Sequence, residues 1–256
     1  MEQGAQSIYR AVAVLKELAT RNGAGSGMTE IAEATGLTGP TVHRILRAFV
    51  DVGFAYQRAA DKRYFLGPFV HELGLSLSHR LDLEAVARAA TDRLAELTGD
   101  TAFFLRRVGV NMLCVSRTSG SFPVKTLLTD VGTRRLLGLG AGGLAVLAAL
   151  PRAEAMDILA ANERSYAEAG RPLAALAAEM DEAAQIGHVV RRLGDLGATT
   201  VAIAVLDGQK RPIAALSMSA ISQRMREAHL DQAIAHLKQL RHQTEAQIAF
   251  AVPNLS

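Results

Sequence analysis

The chain has 256 residues, of which 49% are hydrophobic and 21% charged, a balance that excludes general disorder and allows one large or two medium domains. The net charge of +3 is too small to indicate nucleic-acid binding by itself, so the positions of the charges matter more than their sum. The single cysteine, Cys114, excludes an intrachain disulfide, and its apolar strand-like neighbours favour a buried thiol over a reactive one.

The chain is not expected to enter a membrane. Residues 1–6 lack the basic-then-apolar pattern of a signal peptide. The longest uncharged apolar stretch, residues 136–150, is shorter than the ~20 residues that span a bilayer, and glycines interrupt it. We therefore expect no membrane partner and a cytoplasmic location.

The N-terminal region is predicted to form three helices. Apolar residues at helical spacing predict the first helix over residues 7–20, before a glycine-rich break. Thr29 is the predicted N-cap of a short second helix that ends at Gly36. Thr38 is the predicted N-cap of a third helix, which ends at Gly53.

A hairpin is predicted directly after these helices. Aromatic residues indicate strands over residues 54–57 and 64–66, joined by a polar turn at 58–63. Three helices followed by a hairpin is the order of a winged helix-turn-helix. We therefore assign residues 1–67 to a DNA-binding domain of that fold.

The rest of the chain is predicted to be an α+β domain. Residues 68–80 form the predicted linker, with helical spacing over 69–79, and residues 81–256 form the second domain. Its predicted helices cover residues 83–97, 143–150, 152–161, 173–186 and 226–250. Its predicted strands cover residues 101–107, 112–117, 124–128, 189–192, 200–206 and 213–219. Short turns between consecutive strands favour an antiparallel, GAF-like sheet flanked by helices.

One face of the predicted third helix suits DNA reading. Residues 42, 45, 46 and 49 form an apolar stripe, which turns Thr41 and Arg44 outward and places His43 and Arg47 on the flanks. Arginine pairs with guanine or phosphate, and threonine with base edges or the backbone. His43 suits helix packing and a DNA contact equally. The candidate DNA-binding residues here are Thr38, Gly39, Pro40, Thr41, His43, Arg44 and Arg47.

The turn of the predicted hairpin adds further basic residues. Arg58, Lys62 and Arg63 stand against one acidic residue, Asp61, which suits contact with phosphate or the minor groove of double-stranded DNA. An isolated basic helix is more often a solvated surface. The order of helix, helix, basic helix and basic hairpin favours a DNA-binding surface over that alternative.

A glycine-rich loop at residues 138–143 matches the dinucleotide pattern G-x-G-x-x-G. The segment before it carries Arg134 and Arg135, and no succession of βαβ units surrounds it, so an enzyme with a dinucleotide-binding loop is the less favoured alternative. The same glycines can open a helix whose N–H groups hold the carboxylate of a small metabolite. Tight helix packing with no ligand also explains them.

The last predicted strand alternates between two faces. Ser217 and Ser219 share one face with Ile213 and Ala215. Two hydroxyls at a strand end can donate hydrogen bonds to a bound acid. A purely structural role for the serines is the alternative.

Six segments of the chain resemble the IclR family of bacterial regulators. The N-terminal ones are residues 7–15 (SIYRAVAVL), 41–46 (TVHRIL) and 63–68 (RYFLGP), and the C-terminal ones are 131–134 (VGTR), 144–150 (LAVLAAL) and 214–219 (AALSMS). The resemblance implies a homodimer, often paired into a tetramer, that binds palindromic operators as a repressor or an activator. It also implies that residues 81–256 bind an effector and oligomerise.

The resemblance further implies an effector site. Family members place the effector against the glycine loop and the helix start, which here are Gly140, Ala141 and Gly142. The matching serines, here Ser217 and Ser219, donate hydrogen bonds to it. Thr200 stands where relatives often have a cysteine or serine that faces the pocket.

Several positions depart from the family pattern. Gly138 and Leu144 stand where many relatives have histidine and lysine around the loop. Arg191 replaces an acidic pocket residue, which changes the ligands that the site can hold. Gly39 and Pro40 stand where relatives commonly have lysine and serine, which alters the base preference of the recognition helix.

Nothing in the sequence favours catalysis. It contains no G-x-S-x-G motif and no metal-ligand spacing, and its histidines are scattered, with His229 and His236 interpreted as surface residues. We expect no catalytic residue, no metal and no cofactor. The sequence predicts a DNA-binding regulator modulated by a small carboxylic-acid or aromatic effector, and it leaves the effector and the operator open.

Overall fold

The computed structural model describes residues 3–21, 23–77 and 83–251. The chain divides into two compact units, residues 1–80 and residues 81–256. Each unit has a hydrophobic core of its own.

The first unit is a winged helix-turn-helix, as predicted. Its elements are α1 (Gln3–Thr20), α2 (Met28–Thr35), α3 (Gly39–Asp51), β1 (Ala55–Gln57), β2 (Tyr64–Leu66) and α4 (Pro68–Leu77). The core is formed by Val14, Leu18, Ile31, Val42 and Leu46, one or two from each of the first three helices. Apolar residues at helical spacing therefore give each helix one face to bury.

The starts of α2 and of the linker helix differ from the predictions. Helix α2 begins at Met28 with Gly27 as its N-cap, so Thr29 is not the cap. The N–H of Gly27 donates to the Glu30 carboxylate at 3.0 Å, which closes the helix start in the manner of a capping box. The linker helix begins at Pro68, one residue earlier than predicted, and the predicted residues 78–79 lie outside the described part of the chain.

The second unit is built on a six-stranded antiparallel sheet with the strand order β5-β4-β3-β8-β7-β6. Its strands are β3 (Thr101–Val108), β4 (Asn111–Ser119), β5 (Arg134–Leu136), β6 (Val189–Leu193), β7 (Ala198–Leu206) and β8 (Pro212–Ile221). Its helices are α5 (Leu83–Thr98), α6 (Ala141–Ala149), α7 (Arg152–Ala161), α8 (Glu163–Glu168), α9 (Leu173–Ile186) and α10 (Glu227–Ala251). The α+β class with an antiparallel sheet is confirmed.

The two faces of the sheet have different coverings. Helices α5 and α10 pack on one face, against alternate residues of β8 such as Ala214, Leu216 and Met218. Helix α6 packs on the other face against Ala215, with α7, α8 and α9 around it. The period of two along the strand sends neighbouring residues to opposite faces, as predicted for β8.

One predicted strand is absent, and the short helix α8 was not predicted. Residues 124–128 have no strand partner in the described structure and lie in an irregular segment between β4 and β5. The ammonium of Lys125 donates to the carbonyls of Gly120 and Phe122, which holds this segment in a bend. The third strand of the second unit in chain order is instead β5, which pairs with β4.

No helix in the described residues is long and apolar enough to cross a membrane.

Candidate DNA-binding surface and effector cavity

Helix α3 has one buried and one exposed face. Val42 and Leu46 are completely buried, and Ile45 and Phe49 are half-buried beside them. The candidate residues His43, Arg44 and Arg47 are exposed, and Thr41 is partly exposed. This is the arrangement that a recognition helix requires, with donors on the side away from the core.

The start of α3 also has backbone donors available. Thr38 is the N-cap with extended backbone, φ −69° and ψ 147°, and its side chain does not cap the helix. Its Oγ1 lies 2.9 Å from Oγ1 of Thr41 instead. Gly39 and Pro40 follow in the first turn, where Pro40 has no N–H to contribute. The N–H groups of Gly39 and Thr41 have no intrahelical acceptor at this position, so they are suited to a phosphate oxygen.

The three predicted wing cations lie in different surroundings. Arg58 forms a two-pronged ion pair with Asp61, with distances of 2.9 and 2.5 Å, and stacks on the Phe65 ring at 4.6 Å. The hydrogen bond from Arg58 lowers the pKa of Asp61 to about 2. Lys62 is exposed at the tip of the turn, with φ +59°, and forms no ion pair with any described residue.

Arg63 is turned toward the body of the unit. Its Nη2 donates to the Gly25 carbonyl at 2.9 Å and to Glu30 at 2.7 Å. Tyr64 continues this attachment through paired backbone hydrogen bonds with Ser26, 2.9 Å each. The Arg63 side chain therefore joins the wing to the start of α2 and is not the outward-facing cation that the sequence predicts.

The second unit contains a cavity on the α6 face of the sheet, with a volume of about 680 Å³ that is partly open to solvent. All seven predicted effector-binding residues line it. They are Gly140, Ala141, Gly142, Arg191, Thr200, Ser217 and Ser219. Apolar side chains complete the wall, namely Phe103, Leu105, Met112, Leu128, Leu136, Leu139 and Leu193.

The glycines of the loop have structural reasons for being there. Gly138 has φ +87°, a conformation that side-chain-bearing residues rarely adopt. A Cβ on Gly142 would lie 2.4 Å from Cδ1 of Leu105, so α6 packs closely on β3 here and a side chain would require Leu105 to shift. The loop follows β5, an edge strand of an antiparallel sheet, and not the strand of a βαβ unit. The structure therefore gives the dinucleotide interpretation no support.

A row of polar residues crosses four neighbouring strands below the cavity. In register, Arg191 pairs with Thr200, Thr200 with Ser219, and Ser219 with Thr101. Oγ1 of Thr200 and Oγ of Ser219 form a buried hydrogen bond of 2.6 Å. Thr101 is 1% exposed, and its hydroxyl has no hydrogen-bond partner in the described structure. We did not predict Thr101 from the sequence, because only the pairing of β3 with β8 places it in this row.

Arg191 is a buried cation at one end of this row, and its side chain is 7% exposed. Its Nη atoms donate to the carbonyls of Gly138 and Leu139, at 3.2 and 2.9 Å, and to Glu179 at 2.9 Å. Its Nε is buried with no hydrogen-bond partner in the described structure. Burial lowers the pKa of Arg191, and the hydrogen bond that Arg191 donates to Glu179 partly offsets this.

Glu179 is shared between two arginines. Arg171 Nη2 donates to both of its carboxylate oxygens, at 2.6 and 2.7 Å, and Arg191 donates to one of them. Burial acts to raise the pKa of Glu179, but the hydrogen bonds from Arg191 and Arg171 outweigh it and hold that pKa below its usual range. Two positive charges therefore share one negative charge beside the cavity.

The irregular segment between β4 and β5 closes the cavity on one side, which the sequence did not predict. Leu128, Thr129 and Thr133 from this segment line the wall. Thr126 attaches the segment to the sheet, because its Oγ1 donates to the Ser219 carbonyl at 2.7 Å. On the other side, the completely buried Tyr166 of α8 donates to the Leu137 carbonyl at 2.8 Å and supports the loop before α6. Burial raises the pKa of Tyr166 to about 12.

Comparison with known families matches nearly the whole chain. Residues 7–59 match the IclR helix-turn-helix domain, and residues 75–245 match the C-terminal domain of the bacterial transcriptional regulator IclR. The chain belongs to the IclR family of bacterial transcriptional regulators. As an IclR-family protein it is a DNA-binding transcription regulator with an effector-binding C-terminal domain, and the resemblance described from its sequence segments is confirmed.

Individual IclR-family proteins are similar to the chain at low identity. The transcriptional repressor AllR of Escherichia coli K12 is 25% identical over 229 residues, which cover 88% of this chain and 84% of AllR. The solved IclR regulator of Alicyclobacillus acidocaldarius is 25% identical, with a TM-score of 0.77 and coverage of 94% and 98%. An IclR homologue of Microbacterium hydrocarbonoxydans, solved in complex with 4-hydroxybenzoate, is 22% identical, with a TM-score of 0.71 and the same coverage, and shows the shared fold alone.

Proposed function

We propose that the chain binds operator DNA through α3 and the wing, and that a small organic acid in the cavity modulates this binding. The observation that carries the effector half is the lining of the cavity. Two arginines, a group of hydroxyls and the start of α6 line it, and no aspartate or glutamate of the described residues does. Such a site favours an anion with an apolar or aromatic body. The 4-hydroxybenzoate bound by the Microbacterium homologue belongs to this chemical class.

For the DNA-binding half, we assign base reading to the exposed side of α3. We propose that Arg44 and Arg47 contact base edges, those of guanine in particular, and that His43 lies beside them. Thr38, Thr41 and the backbone of Gly39 and Pro40 lie where α3 meets the phosphates. Lys62 is the proposed phosphate contact of the wing. Arg58 is a second proposed contact, although its ion pair with Asp61 offsets part of its charge. Arg63 is a positioning residue, because its donors are used within the unit.

We also propose the domain roles and a self-association. Residues 1–67 bind DNA, residues 68–80 form the linker between the two domains, and residues 81–256 bind the effector and oligomerise. We place the dimer contact on α1, where an exposed apolar stripe supports a homodimer, and further oligomerisation on residues 81–256. Ile8, Tyr9 and Val12 of the stripe have 66%, 68% and 41% of their surface exposed. A dimer of these units matches a palindromic operator, because the two-fold axis of the protein then coincides with that of the DNA. Pairing of dimers into tetramers extends the same proposal.

The test is a fluorescence anisotropy titration of the full chain on labelled DNA from the region upstream of its own gene. We expect tight binding that weakens as salt rises, and a change in affinity when small organic acids are added. Absence of binding at low salt would contradict the regulator proposal. It would favour a ligand sensor whose helix-turn-helix serves only protein contacts.

A further inference from the structure

The two arginines of the cavity come from opposite edges of the sheet. Arg135 lies on β5 and Arg191 on β6, and these are the two edge strands of the six-stranded order. Both residues line the same cavity. The strands between them contribute apolar side chains to the wall, among them Phe103, Leu105 and Met112. The cavity is therefore lined by one cation from each edge strand and by apolar side chains from the strands between them; we call the Arg191 side its inner end and the Arg135 side its outer end.

The inner end, at Arg191, is buried and carries surplus positive charge. Arg191 and Arg171 share the single carboxylate of Glu179, so this cluster has a net charge of +1. Four donors of the Arg191 guanidinium are used, and the fifth, on Nε, has no partner in the described structure. Thr200, Ser217 and Ser219 lie on the same face of the sheet as Arg191, and the first residues of α6 also line the cavity. An anion is stabilised at this end by hydroxyl donors and by a positive charge that water screens little, because the charge is buried.

The outer end, at Arg135, is exposed and also uncompensated. Its Nη2 donates to the Leu128 carbonyl at 2.9 Å, and it forms no ion pair with any residue that the structure describes. Thr129 and Thr133 line the wall in the same region of the chain. A carbonyl acceptor leaves the charge of the guanidinium unneutralised, so a second anion is favoured at this end.

Building on the effector function proposed above, we infer that the ligand is a dicarboxylic acid with an apolar body. One carboxylate lies at the inner end among Ser217, Ser219 and the start of α6, within the field of Arg191. The other lies at the outer end and pairs with Arg135. The apolar body contacts Phe103, Leu105 and Met112. A monocarboxylic acid occupies the same cavity but neutralises one end only, which makes its binding weaker.

Matched pairs of acids test this inference on the full chain by isothermal titration calorimetry. The pairs are benzene-1,4-dicarboxylate against benzoate, and hexanedioate against hexanoate. We expect the diacid of at least one pair to bind about fivefold tighter than its monoacid, which is the effect of one partly exposed ion pair. Because that pair is near solvent, the preference should shrink in high salt.

Substitutions at two neighbouring arginines locate the effect. Arg135→Gln should remove the diacid preference by weakening diacid binding about fivefold and monoacid binding much less, and Arg135→Lys should retain part of the preference. Arg134→Gln is the control, because Arg134 is exposed on the same strand but does not line the cavity. Thermal unfolding of each variant checks that it is folded.

The outcomes separate this inference from the proposed function. If monoacids bind as tightly as their diacids, or if Arg135→Gln weakens both equally, the dicarboxylate inference is wrong while an organic-acid effector remains supported. If no acid of either kind binds at millimolar concentration, the effector half of the proposed function fails as well. DNA binding is measured independently of both results.

Discussion

The side-chain oxygens of Thr200 and Ser219 lie 2.6 Å apart on neighbouring strands, and both residues line the cavity. One hydroxyl donates to the other, so the pair keeps a single O–H for a bound group. Thr126 uses the Ser219 carbonyl as its acceptor and fixes the same strand end. The pair is therefore oriented before any ligand arrives, which favours a specific acceptor such as a carboxylate oxygen.

Replacing Ser217 and Ser219 together with alanine should remove the response to an acid effector while leaving DNA binding intact. Both side chains are at the cavity and far in sequence from α3, so operator affinity should not change. The measurement is anisotropy on operator DNA with and without the acid. Ser222→Ala is the control, because Ser222 bonds to Thr199 and does not line the cavity. An unchanged response in the double variant would place the effector elsewhere.

Arg44→Ala should reduce specific DNA binding by roughly 1–3 kcal/mol, the cost of losing one good base contact. Lys62→Ala should weaken binding to all sequences about equally and lower the salt dependence, as expected for a phosphate contact. Anisotropy on the operator and on a shuffled duplex, over a range of salt, distinguishes the two effects. A role for Arg44 in base reading is refuted if affinity and specificity both stay at the wild-type level.

Asp100→Asn should destabilise the second unit by about 2 kcal/mol, because it weakens two hydrogen bonds that now end on a charged group. The Asp100 carboxylate is 1% exposed and accepts from Arg224 Nε at 3.0 Å and from His229 Nε2 at 2.6 Å. The chain has no tryptophan, so urea unfolding is best followed by circular dichroism. Asp92→Asn, at an exposed aspartate that accepts from Thr118, is the control and should cost much less.

Cys114 should be protected from alkylation and should make stability sensitive to alkaline pH. The residue is 1% exposed, and burial raises the pKa of its thiol from 9.0 to about 11. Since the folded pKa lies above the unfolded one, the contribution of the neutral thiol is complete below pH 9 and is lost as pH rises through about 11. Iodoacetamide labelling at pH 8 should be slow when folded and fast in urea. The wild type should lose more stability between pH 9 and 11 than Cys114→Ala does, and an equal loss would contradict this.

Ile8→Glu combined with Tyr9→Lys should shift the chain from dimer to monomer. Charges on this exposed apolar stripe of α1 remove the proposed interface without touching the core of the unit. Size-exclusion chromatography with light scattering gives the mass. Lys16→Glu, an exposed change on the same helix, is the control. A double variant with the wild-type mass would show that the chain associates through another surface.

Periodic segments were predicted well from the sequence. The apolar stripe of α3 and the alternation of β8 each depend on one element and its own period, and both have the predicted faces. The cavity residues Ser217 and Thr200 came from family resemblance, and the structure brings them together. Local pattern and resemblance were therefore enough to predict the buried and exposed faces of α3 and the residues that line the cavity.

Long-range pairings were not predictable in the same way. Arg63 is directed inward by partners 38 and 33 residues away, and His229 bonds to Asp100 across 129 residues, so it is not the surface residue that its helix suggested. The predicted strand at 124–128 failed because its apolar residues had no neighbouring strand to pair with. Short α8 gave too weak a periodic signal, although its Tyr166 is completely buried.

Side chains alternate along β8 between the two faces of the sheet, and each face has a separate role. Leu216 and Met218 hold α5 and α10 to the sheet, whereas Ser217 and Ser219, one peptide away, face the cavity. In the effector site that we propose, changes at every second residue of β8 alter ligand preference, while the residues between them keep the domain folded. Under that proposal, a new effector preference can arise in this strand without first passing through an unstable protein.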